Sequence, residues 1–227
     1  MKNGFLILTT LFYVALAVAQ DGKLTLELEK FDELKAFDGI SVRLIRSNTN
    51  KAVISGANTN KVAIVNNKGR LKIRMEIDKI FSGYRTFVDL YYSETLNIID
   101  ANEDARIYSD EMIKQPVLDL RAQEGAEIEL SCETEQVLIR AITGGDVYAM
   151  GSSRNQDVTI NTGGSYLARQ LRTEFTTISV NAGGNAEIFA TNYVKADVKA
   201  GGNVKVFGNP KKIDKKTVFG GKIIVGD

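Results

Sequence analysis

The chain has 227 residues, 44% hydrophobic and 25% charged, which is enough to bury a sizeable core in one large domain. With 29 basic and 28 acidic residues its formal net charge is +1, so nothing in the charge favours nucleic acid or an anionic membrane as a partner. There is no His and only one Cys, which excludes a Ser–His or Cys–His nucleophile, an intrachain disulfide and a thiolate zinc site. Catalysis would have to rely on carboxylates, Lys, Arg and Tyr, and no cofactor is indicated.

The first 19 residues have the features of a secretory signal peptide. Lys2 supplies a positive charge, Phe5–Val18 is apolar apart from two threonines, and Ala17–Ala19 is a small-residue cleavage site. The apolar run is too short for a typical membrane span, although a retained anchor is the alternative. We predict that residues 1–19 are removed on export. Residues 20–227 would then form a mature protein in the periplasm, on the outer cell surface or outside the cell.

Residues 20–100 contain short strand-like segments separated by turns rich in Asn and Gly. The segments are Ile40–Ile45, Lys51–Ser55, Val62–Val65, Leu71–Met75, Phe87–Tyr92 and Leu96–Ile99. Their spacing is less regular than that of the rest of the chain, and no linker composition separates the two parts. We predict a single β domain over residues 20–227, in which these first strands cap the open end of a solenoid.

Residues 101–227 carry an internal repeat marked by glycine. The first glycines of five Gly-Gly pairs lie 18 to 20 residues apart, and Gly125 and Asp104 extend the series toward the N-terminus. The predicted structural corners are Gly125, Gly144, Gly163, Gly183, Gly201 and Gly220. A corner that recurs in every coil needs a positive φ and a close approach of two backbones. We expect the first glycine of each pair to provide both.

Apolar and polar residues alternate on both sides of each corner. Ile128 follows Gly125 by three residues, as Val147 follows Gly144. This period of two predicts short strands with one buried face, and a 19-residue unit is too short for a strand–helix–strand crossover. The expected fold class is therefore all-β, a parallel β-helix with coils of about 19 residues that stack about 4.8 Å apart.

Several motifs are shared with a known family. Phe37–Val42, Val53–Gly56, Gly69–Ile73, Gly208–Lys211 and the Gly-Gly repeats resemble bacterial head GIN domains, auto-transporter adhesins that are common in the Bacteroidetes lineage. The similarity covers about residues 31–227. The resemblance implies a right-handed β-helix on the cell surface or in the periplasm. The family has no established catalytic residues, so the resemblance assigns none to this chain.

Acidic residues fall on adjacent predicted coils, where a metal or a sugar could bind. They are Glu103, Asp104, Glu124, Glu127, Glu129, Glu133 and Glu135. Stacked carboxylates can bind Ca²⁺, and a pair can act as acid and base on a glycoside. Neither an EF-hand nor a glycine-rich Ca²⁺-repeat spacing is present, so a solvated acidic face is the favoured interpretation. Because like charges at strand spacing repel, a bound cation stays open as an alternative.

Three other groups of residues are candidate sites. Tyr84 and Arg85 are the candidate ligand-binding residues, because they place an aromatic ring beside a cation between two strands; the favoured alternative is a hairpin turn whose phenylalanines, Phe81 and Phe87, enter the core. Cys132 is predicted to face inward as an unreactive thiol. A solvated loop is predicted for the C-terminal basic stretch, which comprises Lys211, Lys212, Lys215 and Lys216.

The sequence favours a non-catalytic cell-envelope protein that presents a rigid surface to a glycan or protein partner. A polysaccharide-processing enzyme is the first alternative, because parallel β-helices also carry lyases and glycosidases. That alternative needs long loops between coils, and the repeat length leaves little room for them. The second alternative is a purely structural module of the envelope or of an oligomeric assembly.

Overall fold

The structure is a computed structural model that describes residues 18–20 and 22–226, so most of the predicted signal peptide lies outside the described residues. Strands make up 64% of the chain and form a β-solenoid of about seven turns, with coils of about 19 residues. The strands are β1 (Val18–Gln20), β2 (Lys23–Glu27), β3 (Glu33–Ala36), β4 (Ser41–Arg46), β5 (Lys51–Gly56), β6 (Val62–Asn67), β7 (Arg70–Met75), β8 (Thr86–Tyr92), β9 (Ile98–Ala101), β10 (Arg106–Ser109), β11 (Ile113–Lys114), β12 (Val117–Gln123), β13 (Glu127–Ile142), β14 (Asp146–Asn161), β15 (Ser165–Leu167), β16 (Leu171–Asn181), β17 (Asn185–Phe189), β18 (Tyr193–Lys199), β19 (Asn203–Phe207), β20 (Lys212–Val218) and β21 (Lys222–Val225). Single-turn 3₁₀ helices cover Thr59–Lys61, Ile77–Lys79 and Gly83–Arg85.

Equivalent residues of successive coils stack on one another in the core. Ile128 pairs with Val147, and the column continues through Tyr166, Ala186 and Val204. All five side chains are buried. Because each inward position contacts its counterpart on the neighbouring coils, the interior is filled by continuous columns of apolar side chains. The β-helix predicted from the alternating pattern is confirmed.

The corners are tight turns with two left-handed residues in succession. At Gln123–Ala126 the Ala126 amide donates to the Gln123 carbonyl at 3.1 Å, and φ is 55° at Glu124 and 77° at Gly125. The hydrogen bond and the two positive φ angles are those of a type I′ turn. The six glycines with φ of 75° to 90° at these turns are Gly125, Gly144, Gly163, Gly183, Gly201 and Gly220. The residue before each glycine is also left-handed, at φ of 49° to 57°, although it carries a side chain.

The close approach of two coils occurs at the second glycine of a pair. A Cβ on Gly164 would overlap the carbonyl group of Ala141 on the preceding coil. At Gly163 and Gly183, by contrast, an added Cβ meets no atom within 4 Å. The expectation that the first glycine supplies both properties is therefore wrong. The first glycine supplies the positive φ, while the second allows the backbones to pack together.

The N-terminal coils are stacked in an order that differs from the chain order. β4 lies between β8 and β10, and β3 lies between β7 and β9, in parallel pairings. The coil of β3 and β4 therefore comes first in the sequence but lies second in the stack. The chain continues through β5 and β6 to the outermost coil, β7 and β8, and then returns to β9 and β10 on the other side of β3 and β4. β2, β5 and β6 pair antiparallel and close this end of the stack. The N-terminal β cap predicted from the sequence is thus present.

The last coil carries a charge at a position that faces inward elsewhere. In β20, Lys215 pairs with the buried Ala196, yet its own side chain is exposed. Lys212 and Lys216 lie in the same strand, which begins directly after Lys211. The predicted solvated loop is therefore wrong for these three lysines, because their backbone pairs with β18, although their side chains do face solvent. A charge at the inward position disfavours the addition of a further strand at this edge.

A polar cluster lies inside the core beside Tyr166. The Tyr166 hydroxyl donates to Oε1 of Gln156 at 3.0 Å, and Nε2 of Gln156 donates to the hydroxyls of Thr173 and Thr176 at 3.0 and 2.9 Å. All four side chains are buried, and burial raises the pKa of Tyr166 well above its ordinary value. Because the polar groups satisfy one another, the cluster helps to fix the register of adjacent coils.

Candidate binding surface

Exposed apolar side chains are concentrated near the N-terminal end of the stack. The segment between β7 and the start of β8, residues 77–87, is here called the aromatic loop. Ile77 is 77% exposed, Phe81 57% and Tyr84 58%. Among the described residues, six of the twelve large hydrophobic side chains that are exposed belong to this loop and the adjacent β6. They are Val65, Ile77, Ile80, Phe81, Tyr84 and Phe87. Exposed apolar groups in such a concentration are typical of an interaction surface.

The phenylalanines of the aromatic loop face solvent. Phe87 lies in β8 between Thr86 and Val88, whose side chains are buried, so the period of two turns Phe87 outward. Phe81 has a φ of 58°, and its amide donates to Oδ1 of Asp38 at 3.2 Å. The prediction that these phenylalanines enter the core is therefore wrong, because strand register and the loop backbone direct both side chains away from it.

The aromatic loop is held against the corner between β3 and β4 by Asp38. This residue is 3% exposed, and its carboxylate accepts the amide of Met75 at 2.9 Å as well as that of Phe81. Its backbone carbonyl accepts the amide of Gly83 at 2.9 Å. Gly83 is buried, and a Cβ there would overlap the same carbonyl. These contacts join the backbone at Phe81 and Gly83 to Asp38, so the segment that carries the exposed rings is hydrogen-bonded to the corner.

Tyr84 and Arg85 both lie in this surface. The Tyr84 ring covers Gly39, where an added Cβ would come within 3.0 Å of it, and its hydroxyl donates to Oδ2 of Asp104 at 2.8 Å. This hydrogen bond, followed by burial and the negative charge of Asp104, raises the pKa of Tyr84. The Arg85 side chain is exposed, while its carbonyl accepts the amide of Ala57 at 2.8 Å. The structure therefore brings the two candidates together with the exposed apolar residues.

A cavity of about 460 Å³ adjoins the aromatic loop. It is lined by Phe37, Asp38, Val65, Lys72, Arg74, Met75, Ile80 and Glu103. Partial burial, together with the charge of Asp38 and a hydrogen bond to it, raises the pKa of the Glu103 carboxyl. The cavity thus combines an apolar rim with two basic side chains and a pair of neighbouring carboxyl groups.

Three of the seven acidic residues on adjacent coils, Glu127, Glu129 and Glu133, are paired with basic neighbours. Arg106 contacts Glu127 at 3.0 Å and Glu129 at 2.7 Å, and Lys114 contacts Glu133 at 2.8 Å. Within residues 18–20 and 22–226 no group of three or more acidic or cysteine side chains is arranged to hold a metal ion. At these three glutamates the repulsion that suggested a bound cation is therefore relieved by Arg and Lys side chains from neighbouring strands.

Cys132 is fully buried, as its inward register predicted. Burial raises the pKa of its thiol to about 11, although a hydrogen bond with Thr134 acts in the opposite direction. The thiolate, which is the nucleophilic form, is therefore scarce at neutral pH.

A second depression, at the C-terminal end of the stack, was missed by the reasoning from sequence. Arg169 and Arg172 line it together with Phe189 and Phe207. The available signal was coil length, because Gly183 follows Gly163 by 20 positions, whereas the adjacent spacings, Gly144 to Gly163 and Gly183 to Gly201, are 19 and 18. An extra residue in a repeat commonly forms a surface turn.

The comparisons with known proteins agree with this architecture. A crystal structure of a "putative adhesin" from Bacteroides fragilis superposes with a TM-score of 0.82 at 16% identity, covering 90% of this chain and 96% of the other. A "putative adhesin" from Parabacteroides merdae gives 0.71 at 16% identity, covering 90% and 95%. A "putative lipid binding protein" from Parabacteroides distasonis gives 0.66 at 13% identity, covering 91% and 98%. At these identities the likeness shows the fold alone. The comparison with curated proteins gives no match.

The fold defines a β-solenoid protein with an exposed apolar surface near the N-terminal end of the stack. Residues 30–210 match the family described as "Putative auto-transporter adhesin, head GIN domain". The chain therefore belongs to the head GIN domain family, as its motifs had indicated. The names given to this family and to the similar structures are those of adhesins and a lipid-binding protein, and not of enzymes.

Proposed function

We propose that this chain is an exported cell-envelope adhesin that binds a protein or glycan partner through the aromatic loop, without catalysing a reaction. The observation that carries the proposal is the concentration of exposed Ile, Phe and Tyr side chains in residues 77–87. Buried aromatic anchors commonly supply most of the binding energy of an interface. A protein partner fits the apolar side chains best, while a glycan would stack on the aromatic rings.

The support for these side chains favours binding without rearrangement. Asp38 holds the loop through the amides of Phe81 and Met75, and Tyr84 is joined to Asp104. A preformed loop loses little conformational entropy when a partner binds, which increases affinity. The solenoid beneath it, proposed as a single domain over residues 20–227, provides a stiff base.

Export is part of the same proposal. The N-terminal pattern of a charge, an apolar run and Ala17–Ala19 supports cleavage before Gln20 and a location in the periplasm, on the outer surface or outside the cell. Among the described residues, no helix has the length and apolar character needed to span a membrane. The net charge of +1 gives no support for a nucleic-acid partner.

An array of extracellular-matrix proteins, mucins and glycans tests the proposed function. The variant Phe81→Ser/Phe87→Ser removes two exposed rings, and Phe219→Ser is the matched control because Phe219 is 90% exposed on the final coil. We expect a bound partner whose affinity falls about tenfold or more in the double variant and is unchanged in the control. The proposal would be contradicted if the native chain, the double variant and the control bound equally well, or if the native chain bound no component of the array.

A polysaccharide degradation assay on the same preparation separates binding from catalysis. Turnover that is lost in Glu127→Gln, Glu129→Gln or Asp104→Asn would favour the polysaccharide-processing alternative. If the chain shows no partner binding and no turnover, the result favours a purely structural envelope module.

A second candidate function rests on the 460 Å³ cavity beside the loop. Phe37, Val65 and Ile80 could contact an acyl chain, while Lys72 and Arg74 could contact an anionic head group. The P. distasonis structure named as a lipid-binding protein gives this candidate some support. Displacement of a fluorescent fatty acid, weakened in Arg74→Gln but not in Arg140→Gln, is the result expected for it.

A further inference from the structure

The coil bends at the C-terminal end of the stack differ in length and leave a groove between them. Tyr148 pairs with Leu167 at an offset of 19 residues, whereas Gly151 pairs with Leu171 at an offset of 20. One residue is therefore inserted between Leu167 and Leu171. On the next coil, Leu167 pairs with Glu187 at an offset of 20, whereas Phe175 pairs with Tyr193 at an offset of 18. The bend between Glu187 and Tyr193 is therefore two residues shorter than the bend beside it. A long bend next to a short one forms a ledge above a recess of about 800 Å³.

The inserted residue forms a turn that carries Arg169 and Gln170. The Leu171 amide donates to the Ala168 carbonyl at 3.0 Å, and both of these residues are buried. Arg169 and Gln170, between them, are exposed and line the groove. The irregularity of the repeat thus places a cation and an amide at the edge of the recess.

Two phenylalanines form the floor on which the arginines stack. Phe189 and Phe207 pair in register on β17 and β19. The Arg172 guanidinium lies 5.0 Å from the centre of the Phe189 ring, and that of Arg169 lies 4.3 Å from the centre of the Phe207 ring. Stacking orders a guanidinium while leaving the N–H groups at its edge able to bind a planar anion.

Within the described part of the chain, neither Arg169 nor Arg172 forms an ion pair. The ion pairs among the described residues use other arginines, namely Arg43, Arg70, Arg106 and Arg121. No carboxylate of the described residues lines the groove, whose other lining groups include Gln170 and Asn209. Two ordered guanidinium groups without a carboxylate partner fit a ligand with anionic groups, which each can bind through two hydrogen bonds.

The groove continues into a depression of different chemistry. A recess of about 600 Å³ shares Arg172 and Phe189 with it. This recess is lined by five hydroxyl residues, by three carboxylates and by one further arginine, Arg154. The hydroxyl residues are Thr134, Ser152, Ser153, Thr173 and Thr191, and the carboxylates are those of Glu133, Glu135 and Glu174. A chain of acidic residues that continued from the arginines would be repelled here, whereas neutral sugar hydroxyls could donate to the carboxylates.

We propose that the groove formed by Arg169, Arg172, Phe189 and Phe207 binds an acidic glycan, with a carboxylate or sulfate on the arginines and neutral hydroxyls along the adjoining recess. The site lies near the C-terminal end of the stack, on other coils than those that carry the aromatic loop. The inference therefore does not depend on the proposed function of that loop, and either can fail alone.

Calorimetric titration of the full chain with matched glycans tests this site. The probes each carry one acidic group beside neutral sugar hydroxyls and are matched with neutral counterparts: sialyllactose with lactose, and sulfated N-acetyllactosamine with N-acetyllactosamine. A hexaglutamate peptide is added as a uniformly acidic chain. We expect the anionic glycans to bind in a salt-sensitive manner and the neutral counterparts to bind at least about tenfold more weakly. Arg169→Gln and Arg172→Gln should each weaken binding about tenfold, while Arg140→Gln, an exposed strand arginine outside the groove, should have little effect.

The variants Arg169→Lys and Arg172→Lys separate general charge attraction from the planar contact. They keep the charge but lose the stacked fork of N–H donors, so we expect binding to stay well below that of the native chain. The proposal is overturned if neither anionic glycan binds, if the Gln variants behave like Arg140→Gln, or if the Lys variants bind as the native chain does. It is equally overturned if hexaglutamate binds as tightly as the glycans, since the groove would then be a site for acidic peptides.

Discussion

The carboxylate of Asp38 accepts a hydrogen bond from the amide of Phe81 at 3.2 Å, although the two residues are 43 positions apart in the chain. Asp38 is itself left-handed, with a φ of 61°, and precedes Gly39 at 75°. The corner between β3 and β4, in the first coil along the chain, thus supplies the acceptor that orients the aromatic loop. A structural turn and the candidate binding surface are therefore coupled through one side chain.

Asp38→Ala should destabilise the fold more than Asp38→Asn. Alanine leaves the amides of Met75 and Phe81 without their acceptor, at a cost of about 1–3 kcal/mol. Asparagine keeps one acceptor oxygen and tolerates a positive φ better than alanine does. Urea unfolding of the two variants measures the difference, and equal stabilities would show that the carboxylate does not hold the loop.

Glu103→Gln should stabilise the protein slightly at neutral pH. The pKa of Glu103 is raised in the folded state by burial and by Asp38, so folding favours its protonated form. That contribution is present below the ordinary pKa of a glutamate and is lost as the pH rises through the raised value. Because the group is only partly buried, the gain from Gln should be about 0.5 kcal/mol or less at pH 7.

The control for Glu103→Gln is the same comparison at a pH below the ordinary glutamate range, where both side chains are neutral. The two proteins should then be equally stable. A gain of the same size at both pH values would mean that the charge of Glu103 is not its cause.

The buried thiol of Cys132 should make stability fall at alkaline pH. Its pKa rises from 9.0 to about 11 on folding, so the unfolded chain loses the proton first as the pH increases. The stabilising contribution is therefore complete below pH 9 and is lost between pH 9 and 11, with a total on the order of 2 kcal/mol. Cys132→Ala should lack this slope in pH-dependent unfolding.

Thiol labelling gives an independent readout of the same residue. A thiol reagent should modify Cys132 only after unfolding, because the side chain is inaccessible. Rapid labelling of the folded protein would show that the inward register assigned to β13 is displaced by one residue.

Gly164→Ala should be more damaging than Gly163→Ala, although the same methyl group is added one residue apart. At Gly163 the methyl group enters open space, and the cost is the left-handed conformation, about 1–2 kcal/mol. At Gly164 it overlaps the Ala141 carbonyl, so two coils must separate and the pairing of their strands is disturbed. Thermal unfolding of both variants should show the larger loss for Gly164→Ala, and the reverse order would contradict the division of roles between the two glycines.

The regular part of the solenoid was predictable because two independent sequence features, the corner glycines and the alternating apolar residues, define the register of each coil. The Gly-Gly pairs mark the corners, and residues such as Ile128 and Val147 mark the inward face at fixed distances from them. A period of two leaves only one choice of face once the corner is known. The burial of Cys132 followed from the same count.

The N-terminal coil order and the candidate site could not be read in this way. The placement of β3 and β4 between later strands is a long-range pairing, which local patterns do not encode. Phe81 and Phe87 were assigned to the core because large apolar residues are usually buried, but their direction depends on the Asp38 contact and on the register of β8. The turn at Arg169 was visible only as one additional residue in a coil.

The central claim is that the aromatic loop is a preformed surface, and amide hydrogen exchange of the free protein tests it most directly. The amides of Phe81 and Gly83 donate to Asp38 at 3.2 and 2.9 Å, so NMR-detected exchange should be at least about tenfold slower than in an isolated peptide of residues 77–87. Protection of these two amides in the absence of any partner is the predicted result. Exchange at the rate of the isolated peptide would contradict the account, because the exposed rings would then have no fixed arrangement to present.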